Sequence, residues 1–452
     1  MLRGVSFEHF EPGKGRVEPV MTLSTEQVLA LAPDAASAKA GRGQASAAKW
    51  PVSGCSERAV WGECQGSGKK PYQVCVEFAG PAFRCSCPSR KFPCKHALGL
   101  LLRWSAGELV SAGEPDWAGT WLAERAARAE RAAVRAAEPA KRGDPLAAQR
   151  RRDRRDERVS AGAAELTGWL ADLIREGLAG LPRSGTAPLE SAAARMVDAQ
   201  APGLAERVRR AARLAGRGRD WPDRLLEELS LTCLLAGAQA RLAELPPPLA
   251  ATVRARLGYP TETAEVLTNG ERSTDTWLVL GFRDEPGEKV AGRTVWLRGT
   301  ESGRTTMVLS FATPGRPLDA SLWPGTLVPA TLARYPGAGA QRVVVAERDE
   351  ATASPRPEGE PVAAALARYG AVLAEDPWVD RWPVLLAGVV PVATQDGWVL
   401  SDSAGALPLH ASADPWPLVA VSGGRPLTVA AEWSPAGARP MCCWDGDRAV
   451  VL

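Results

Sequence analysis

The chain lacks any apolar run long enough to cross a bilayer. Its most apolar stretch, Val384–Ala393, has about half the length that a membrane-spanning helix needs. The N-terminal residues also lack the apolar core of a signal peptide. These absences predict a cytoplasmic protein without a membrane partner. Because thiols stay reduced in that compartment, the nine cysteines indicate metal ligands or free thiols and not a disulfide framework.

Net charge is also small. The 55 Lys and Arg are almost balanced by 52 Asp and Glu, which leaves +3 over 452 residues. This balance argues against a dedicated, strongly basic nucleic-acid binder, although it permits local basic patches. The densest patch lies within Glu124–Arg158 and includes Arg150–Arg152. Two interpretations stay open for it, a surface for phosphates or a solvated helix with interleaved charge pairs.

Histidine is scarce, with three residues in the chain, and one of them lies in a cluster of cysteines. His96 follows Cys85, Cys87 and Cys94, and prolines at 88 and 93 favour a tight loop inside the cluster. Three thiolates and one imidazole complete the tetrahedral ligand set of zinc. Since four protein ligands leave no position open for water, the predicted site holds structure and does not activate a nucleophile.

Acidic residues are missing between Glu77 and Glu108, the segment that contains the cluster. Cations there favour the thiolate form and offset the formal negative charge of three thiolates on zinc. The same cations are also candidates for contacts with an anionic partner. These candidate contact residues are Arg84, Arg90, Lys91 and Lys95.

The spacing Cys-x-Cys, six residues, Cys-x-His, followed by an apolar helix, resembles the SWIM zinc finger. Bacterial members of that family also look like the upstream segments Trp61–Gly68 and Pro71–Val74. The resemblance covers residues 50–105 and implies one bound Zn²⁺. It further implies a two-stranded hairpin that supplies the first two ligands and a helix that carries the last. In that family the finger is a binding module for DNA or for proteins and occurs beside helicase and transposase domains.

Local patterns agree with a small ββα zinc finger. Tyr72–Phe78 alternates apolar and polar residues at strand period. The apolar residues of Ala97–Trp104 lie on one side of a helix. The predicted contacts of this finger are with a protein partner or with DNA.

The whole chain predicts an α+β, multi-domain protein with a helical middle and a β-rich C-terminal region. We predict a leader segment at 1–49, the zinc finger domain at 50–120, a helical domain at 121–257 and a β-rich C-terminal domain at 258–452. Apolar residues between Leu166 and Ile174 form one helix face. The predicted strands are Thr276–Phe282, Arg293–Leu297, Thr306–Phe311, Arg342–Ala346, Gly397–Leu400 and Arg448–Leu452.

Three further expectations concern the C-terminal region. Residues 350–361 predict a linker or a long loop. Alternation places one of the adjacent Cys442 and Cys443 in the core and the other on the surface. No internal repeat is visible.

The sequence predicts a non-enzymatic interaction protein. His410 has no Ser, Cys or carboxylate at a recognisable nucleophile spacing. Two alternatives stay open. One is an enzyme with an unrecognised site in the C-terminal β region. The other is an adaptor subunit of a larger assembly, with an ATPase acting in trans.

Overall fold

The computed structural model describes residues 25–32, 35–66, 68, 70–78, 82–89, 91, 93–137, 145–181, 185–218, 220–287, 290–313, 318–339 and 341–452. Helices and strands are mixed in them, and the predicted α+β class is confirmed. The chain falls into two compact units. The first is Met1–Ala129 with Pro286–Ala291 and Phe311–Ser321, and the second is the remainder.

The first unit contains a four-stranded antiparallel sheet with the strand order β1-β2-β3-β4. Its elements are α1 (Thr25–Ala30), α2 (Ala35–Arg42), β1 (Val52–Cys55), β2 (Ala59–Cys64), β3 (Tyr72–Glu77), β4 (Ala82–Cys85), α3 (Lys95–Ser105) and α4 (Asp116–Ala137). The predicted hairpin is the β3–β4 pair. Two additional strands therefore extend the expected ββα finger.

Helices cover both faces of this sheet. Val74 and Val76 of β3 pack in one core with α3, and Val28 of α1 lies in the same core. The alternate residue Cys75 packs on the opposite face with Ala118 of α4. Part of the segment assigned to a leader thus contributes to the finger core, and α4 runs across the predicted boundary at residues 120–121. Residues 1–24 lie outside the described residues.

A helical bundle begins the second unit. It consists of α5 (Pro145–Glu176), α6 (Ala187–Asp198), α7 (Pro202–Leu214), α8 (Trp221–Ala240) and α9 (Pro247–Leu257), and α10 (Thr263–Asn269) follows it. Its core includes the predicted Leu166 and Leu170, both fully buried. Ile174, placed by the sequence on the same face, is 42% exposed because it lies in the last turn of α5.

Two five-stranded barrels follow the bundle. The first is built by β5 (Arg272–Glu285), β6 (Ala291–Gly299), β7 (Thr305–Ala312), β8 (Thr326–Arg334) and β9 (Arg342–Arg348), with β10 (Thr352–Ala353) added on β8. The second is built by β11 (Trp382–Thr394), β12 (Gly397–Ser401), β13 (Ala406–Pro408), β14 (Leu427–Trp433) and β15 (Arg439–Asp445), with β16 (Arg448–Val451) added on β15. Helix α11 (Val362–Glu375) precedes the second barrel, and α12 (Trp416–Ser422) lies between its third and fourth strands.

The two barrels share one connectivity. In each, the first strand pairs with the second and the fourth, and the fifth strand pairs with the fourth. A short parallel pairing of the third and fifth strands closes each barrel, at Met307 and Arg342 in the first and at Leu409 and Ala438 in the second. This is the path of the Greek-key barrel known as the OB fold. The two barrels repeat the same backbone path, but their sequences show no visible repeat, so sequence analysis did not predict it.

The barrels pack against each other through apolar outer faces. The buried residues in this contact are Leu278, Leu280, Trp296, Leu385, Ala430, Met441, Cys442 and Trp444. The prediction that one of the two adjacent cysteines is exposed is wrong. Cys442 lies between the barrels and Cys443 inside the second one, because the outer face is covered as well.

The chain between the barrels is ordered. Within the predicted linker or loop, the Ser354 N–H donates to Gly325 O at 2.9 Å and the Glu360 N–H to Leu385 O at 2.8 Å. No helix among the described residues is long and apolar enough to cross a membrane.

Candidate metal centre

The cluster is assembled by a hairpin and a helix. Cys85 is the last residue of β4, where it pairs with Val74 of β3, and Cys87 lies two residues beyond. Ser86 fixes the chain between them, since its N–H donates to Gln73 O and its Oγ accepts from the Gln73 N–H, both at 3.0 Å. Cys94 directly precedes α3 in an extended conformation. His96 is the second residue of that helix, so the helix carries the last ligand as the family resemblance implies.

The geometry fits a tetrahedral zinc ion. One donor atom from each of Cys85, Cys87, Cys94 and His96 lies within 4.8 Å of the others. Cys85 Sγ and His96 Nδ1 are 3.8 Å apart. A zinc ion with usual bond lengths holds sulfur and nitrogen ligands about 3.6 Å apart. The four side chains are therefore positioned to bind a zinc ion, which would act as a structural cross-link between hairpin and helix.

The environment of the thiols favours metal binding. A hydrogen bond from the Cys85 thiol lowers the pKa of Cys94, and the backbone N–H of Ala97 in the first turn of α3 lowers it further. The same hydrogen bond to Cys94 raises the pKa of Cys85. In the metal-free cluster, one proton is thus held between Cys85 and Cys94. Since zinc requires thiolates, metal binding has to release this proton.

A tyrosine ring packs against the histidine ligand. The Tyr72 ring lies 4.9 Å from the His96 ring at an interplanar angle of 35°. A Cβ atom on Gly66 would come within 2.5 Å of the same tyrosine ring. The ring is therefore held between a glycine and a ligand, which limits the movement of both His96 and the turn after β2.

Comparison with protein families identifies the centre. Residues 84–105 match the SWIM zinc finger, and residues 154–257 match the SWIM-associated four-helix bundle domain. The chain carries a SWIM zinc finger. The resemblance in the sequence is therefore confirmed, together with its zinc cofactor. No curated protein and no solved structure matches the chain.

The predicted contact residues around the SWIM finger differ in their surroundings. Arg84 is half-buried, and its guanidinium donates to Trp117 O at 3.2 Å, so it fastens α4 to the finger. Lys91 and Lys95 are exposed, the latter as the first residue of α3. Arg90 lies outside the described residues. That any of these cations contacts a partner stays a prediction.

Other cysteines of the SWIM finger are not part of the cluster. Cys64 lies 3.8 Å from Gln44 Oε1, and Cys75 faces α4.

Sequence reasoning did not find the supporting role of residues 25–50. A signal for it exists in Trp50, whose Nε1–H donates to Gln44 O at 2.7 Å, because an isolated tryptophan beside a small-residue segment indicates a packing contact.

The SWIM-associated bundle is joined to the second barrel. Trp378, which precedes β11, lies in the bundle core and donates from Nε1 to Leu231 O at 2.9 Å. Arg256 pairs with Asp376 at 2.6 Å, and Arg210 pairs with Asp380 at 2.8 Å. Bundle and barrel therefore share packing and ion pairs within the second unit.

Proposed function

We propose that this protein is a non-catalytic binding protein whose SWIM finger contacts an anionic macromolecular partner. The observation that supports the proposal most directly is the four-ligand cluster at the finger, with Lys91 and Lys95 exposed beside it. Four ligands on one zinc ion would fix the chain on both sides of Lys91 and Lys95 and leave these two side chains exposed. Such preorganisation favours binding. DNA and an acidic protein surface are the two partners that this chemistry fits.

A binding role is also supported by the surroundings of His410. Its Nδ1 lies 3.0 Å from Ser412 Oγ, a pair found in some nucleophilic sites. However, its Nε2 accepts from the guanidinium of Arg439 at 2.9 Å, where a catalytic histidine would be oriented by a carboxylate. Burial and then Arg439 lower the pKa of His410, which makes it a weaker base than an exposed imidazole. We infer that this pair is structural.

The barrels are less suitable for nucleic acid than the finger. In OB barrels the face of the second and third strands is the usual binding surface. In the first barrel Trp296 and Met307 from those strands lie in the contact between the barrels. In the second, β12 and β13 contain no lysine or arginine. We therefore assign the partner contact to the finger, since a shared fold does not by itself carry a function.

Fluorescence anisotropy tests the proposal. The zinc-loaded chain is titrated into labelled duplex DNA, single-stranded DNA and a poly-glutamate peptide, from about 50 to about 200 mM salt. We expect one of the three to bind at low salt, and K91Q/K95Q to weaken that affinity about tenfold with zinc content unchanged. Lys70→Gln is the control, because Lys70 is exposed but lies outside the segment from Cys85 to His96 that contains the ligands.

Each probe can reject its own version of the proposal. No DNA binding at about 50 mM salt would exclude the nucleic-acid version, and no peptide binding would exclude the acidic-protein version. Unchanged affinity of K91Q/K95Q would show that these lysines only offset the charge of the thiolates.

An adaptor role is the second candidate. It is supported by the joined bundle and barrel, which offer a large surface beyond the finger, including the 65% exposed Trp416. Co-purification from the native cell tests it, because an adaptor should bring the same partner with wild-type chain and with K91Q/K95Q. The ATPase acting in trans stays a prediction.

A further inference from the structure

A cleft of about 660 Å³ opens beside the metal centre, within the first unit. Its walls come from α2, from the turn after β2, from the start of β3 and from residues 87–89, 91, 95 and 96. The zinc ligands Cys87 and His96 form part of its floor, and the other lining residues are not among the four ligands. The volume lies within the range of small-molecule sites, about 300–1,000 Å³.

The cleft is electropositive. Lys49, Lys91 and Lys95 line it, and among the residues that the structure describes no aspartate or glutamate does. Three thiolates on Zn²⁺ leave a formal charge of −1 at the floor, against three ammonium groups in the walls. The net charge of the lining is therefore positive. An anionic ligand would meet one cation that follows α2 and two that lie between the ligands Cys87 and His96.

Packing holds the walls of the cleft in place. Lys49 Nζ donates to Gly43 O at 2.5 Å, which fixes this ammonium near the end of α2. Tyr72 lines the cleft with its ring confined between Gly66 and His96. Neutral donors are also present in the lining, at Gln65 and Ser89.

We propose that this cleft binds a phosphate ester of about nucleotide size. Lysine ammonium groups bind phosphate as point charges, and amide and hydroxyl donors reach the remaining oxygens or a sugar. An inorganic phosphate ion alone would leave most of the volume empty. The ligand is either a free nucleotide or one nucleotide unit of a strand. The proposal rests on the proposed function only in requiring a folded, zinc-loaded finger.

Titration calorimetry on the zinc-loaded full chain tests this site. The probes are AMP, adenosine, inorganic phosphate and tetrathymidylate with a 5′-phosphate. We expect AMP to bind at least about tenfold more tightly than adenosine, and inorganic phosphate to compete with it. Affinity for tetrathymidylate equal to that for AMP assigns the site to single nucleotides. About tenfold tighter binding of tetrathymidylate assigns it to a strand.

Two variants locate the binding. Lys49→Gln with Lys95→Gln removes two cations from the lining and should weaken AMP about tenfold or more. Ala36→Leu adds a larger side chain at an exposed lining position of α2 and should weaken AMP binding without a change in charge. Lys39→Gln is the matched control, since Lys39 is exposed on the same helix and does not line the cleft.

Specific results overturn the proposal. They are an absence of AMP binding at low salt, equal affinity for adenosine, or equal losses in the Lys39→Gln control. Partner binding is measured by anisotropy on the same samples. Lost AMP binding with partner binding intact would reject the cleft alone, whereas AMP binding without any macromolecular partner would reject the proposed function and leave the cleft.

Discussion

At the scale of single residues, Cys94 combines two roles, as a donor in the cluster and as the residue that precedes α3. We expect Cys94→Ala to reduce zinc from one ion per chain to almost none. The finger should then unfold, because structural zinc contributes about 10 kcal/mol or more to folding in small fingers. Elemental analysis measures the metal, and limited proteolysis should cut within residues 50–105 while the bundle stays intact.

Cys55→Ala is the control for that experiment. Cys55 is half-buried in β1 and is not in the donor cluster, so this variant should retain one zinc ion per chain. Zinc retained by Cys94→Ala, or lost equally by both variants, would contradict the assignment of the ligands.

Asp275 predicts a pH dependence outside the finger. Its carboxylate accepts from Ser302 Oγ at 2.6 Å and from the N–H groups of Ser302 and Glu301 at 3.0 and 3.2 Å. Burial raises the pKa of Asp275, but the hydrogen bonds from Ser302 and Glu301 outweigh burial and hold the pKa below its ordinary value. The ionised form therefore stabilises the fold at neutral pH, and this stabilisation is lost as pH falls through the folded-state pKa.

The corresponding variant is Asp275→Asn. We expect it to lower the free energy of unfolding by about 2 kcal/mol at neutral pH, and the difference from wild type should shrink as pH falls towards about 3. Urea unfolding at both pH values measures this, with the exposed Asp396→Asn as a control. A loss independent of pH would point to packing instead of charge.

At the scale of helices and strands, two glycines of the bundle should respond oppositely to alanine. A Cβ atom on Gly203 of α7 would lie 1.8 Å from Arg256 O of α9, whereas one on Gly237 of α8 meets no atom within 4 Å. Gly203→Ala should destabilise the bundle by about 1–3 kcal/mol through overpacking. Gly237→Ala should stabilise it by about 0.5–1 kcal/mol, because alanine favours a helix. Thermal unfolding of the two variants compares them, and the same sign for both would contradict the close approach of α7 and α9.

The predictability of an element depended on how it is buried. The finger hairpin and α3 were predicted because β3 alternates and the ligands mark both elements. β14 was missed because six of its seven residues are buried, so both faces of the strand are covered and no alternation remains. Cys442 and Cys443 were misjudged for the same reason. The packing of α4 on the sheet was not predicted, because contacts between distant segments leave no local pattern.

At the scale of the whole molecule, Trp378 connects bundle and second barrel. This residue is 4% exposed in the bundle core, although it belongs to the chain that enters β11. We expect Trp378→Ala to lower stability by about 3–5 kcal/mol and to separate the unfolding of bundle and barrels into two transitions. Calorimetry tests this, with Trp416→Ala as the control. A single, equally cooperative transition in Trp378→Ala would mean that the ion pairs alone join the two parts.

The contact between the barrels determines where the chain can be cut for study. A fragment that ends after β9 would present Leu278, Leu280 and Trp296 to water, and one that begins at β11 would present the apolar residues opposite them. Exposed patches of this kind promote aggregation. Expression and crystallisation of this region should therefore keep both barrels in one piece, together with the bundle whose core contains Trp378.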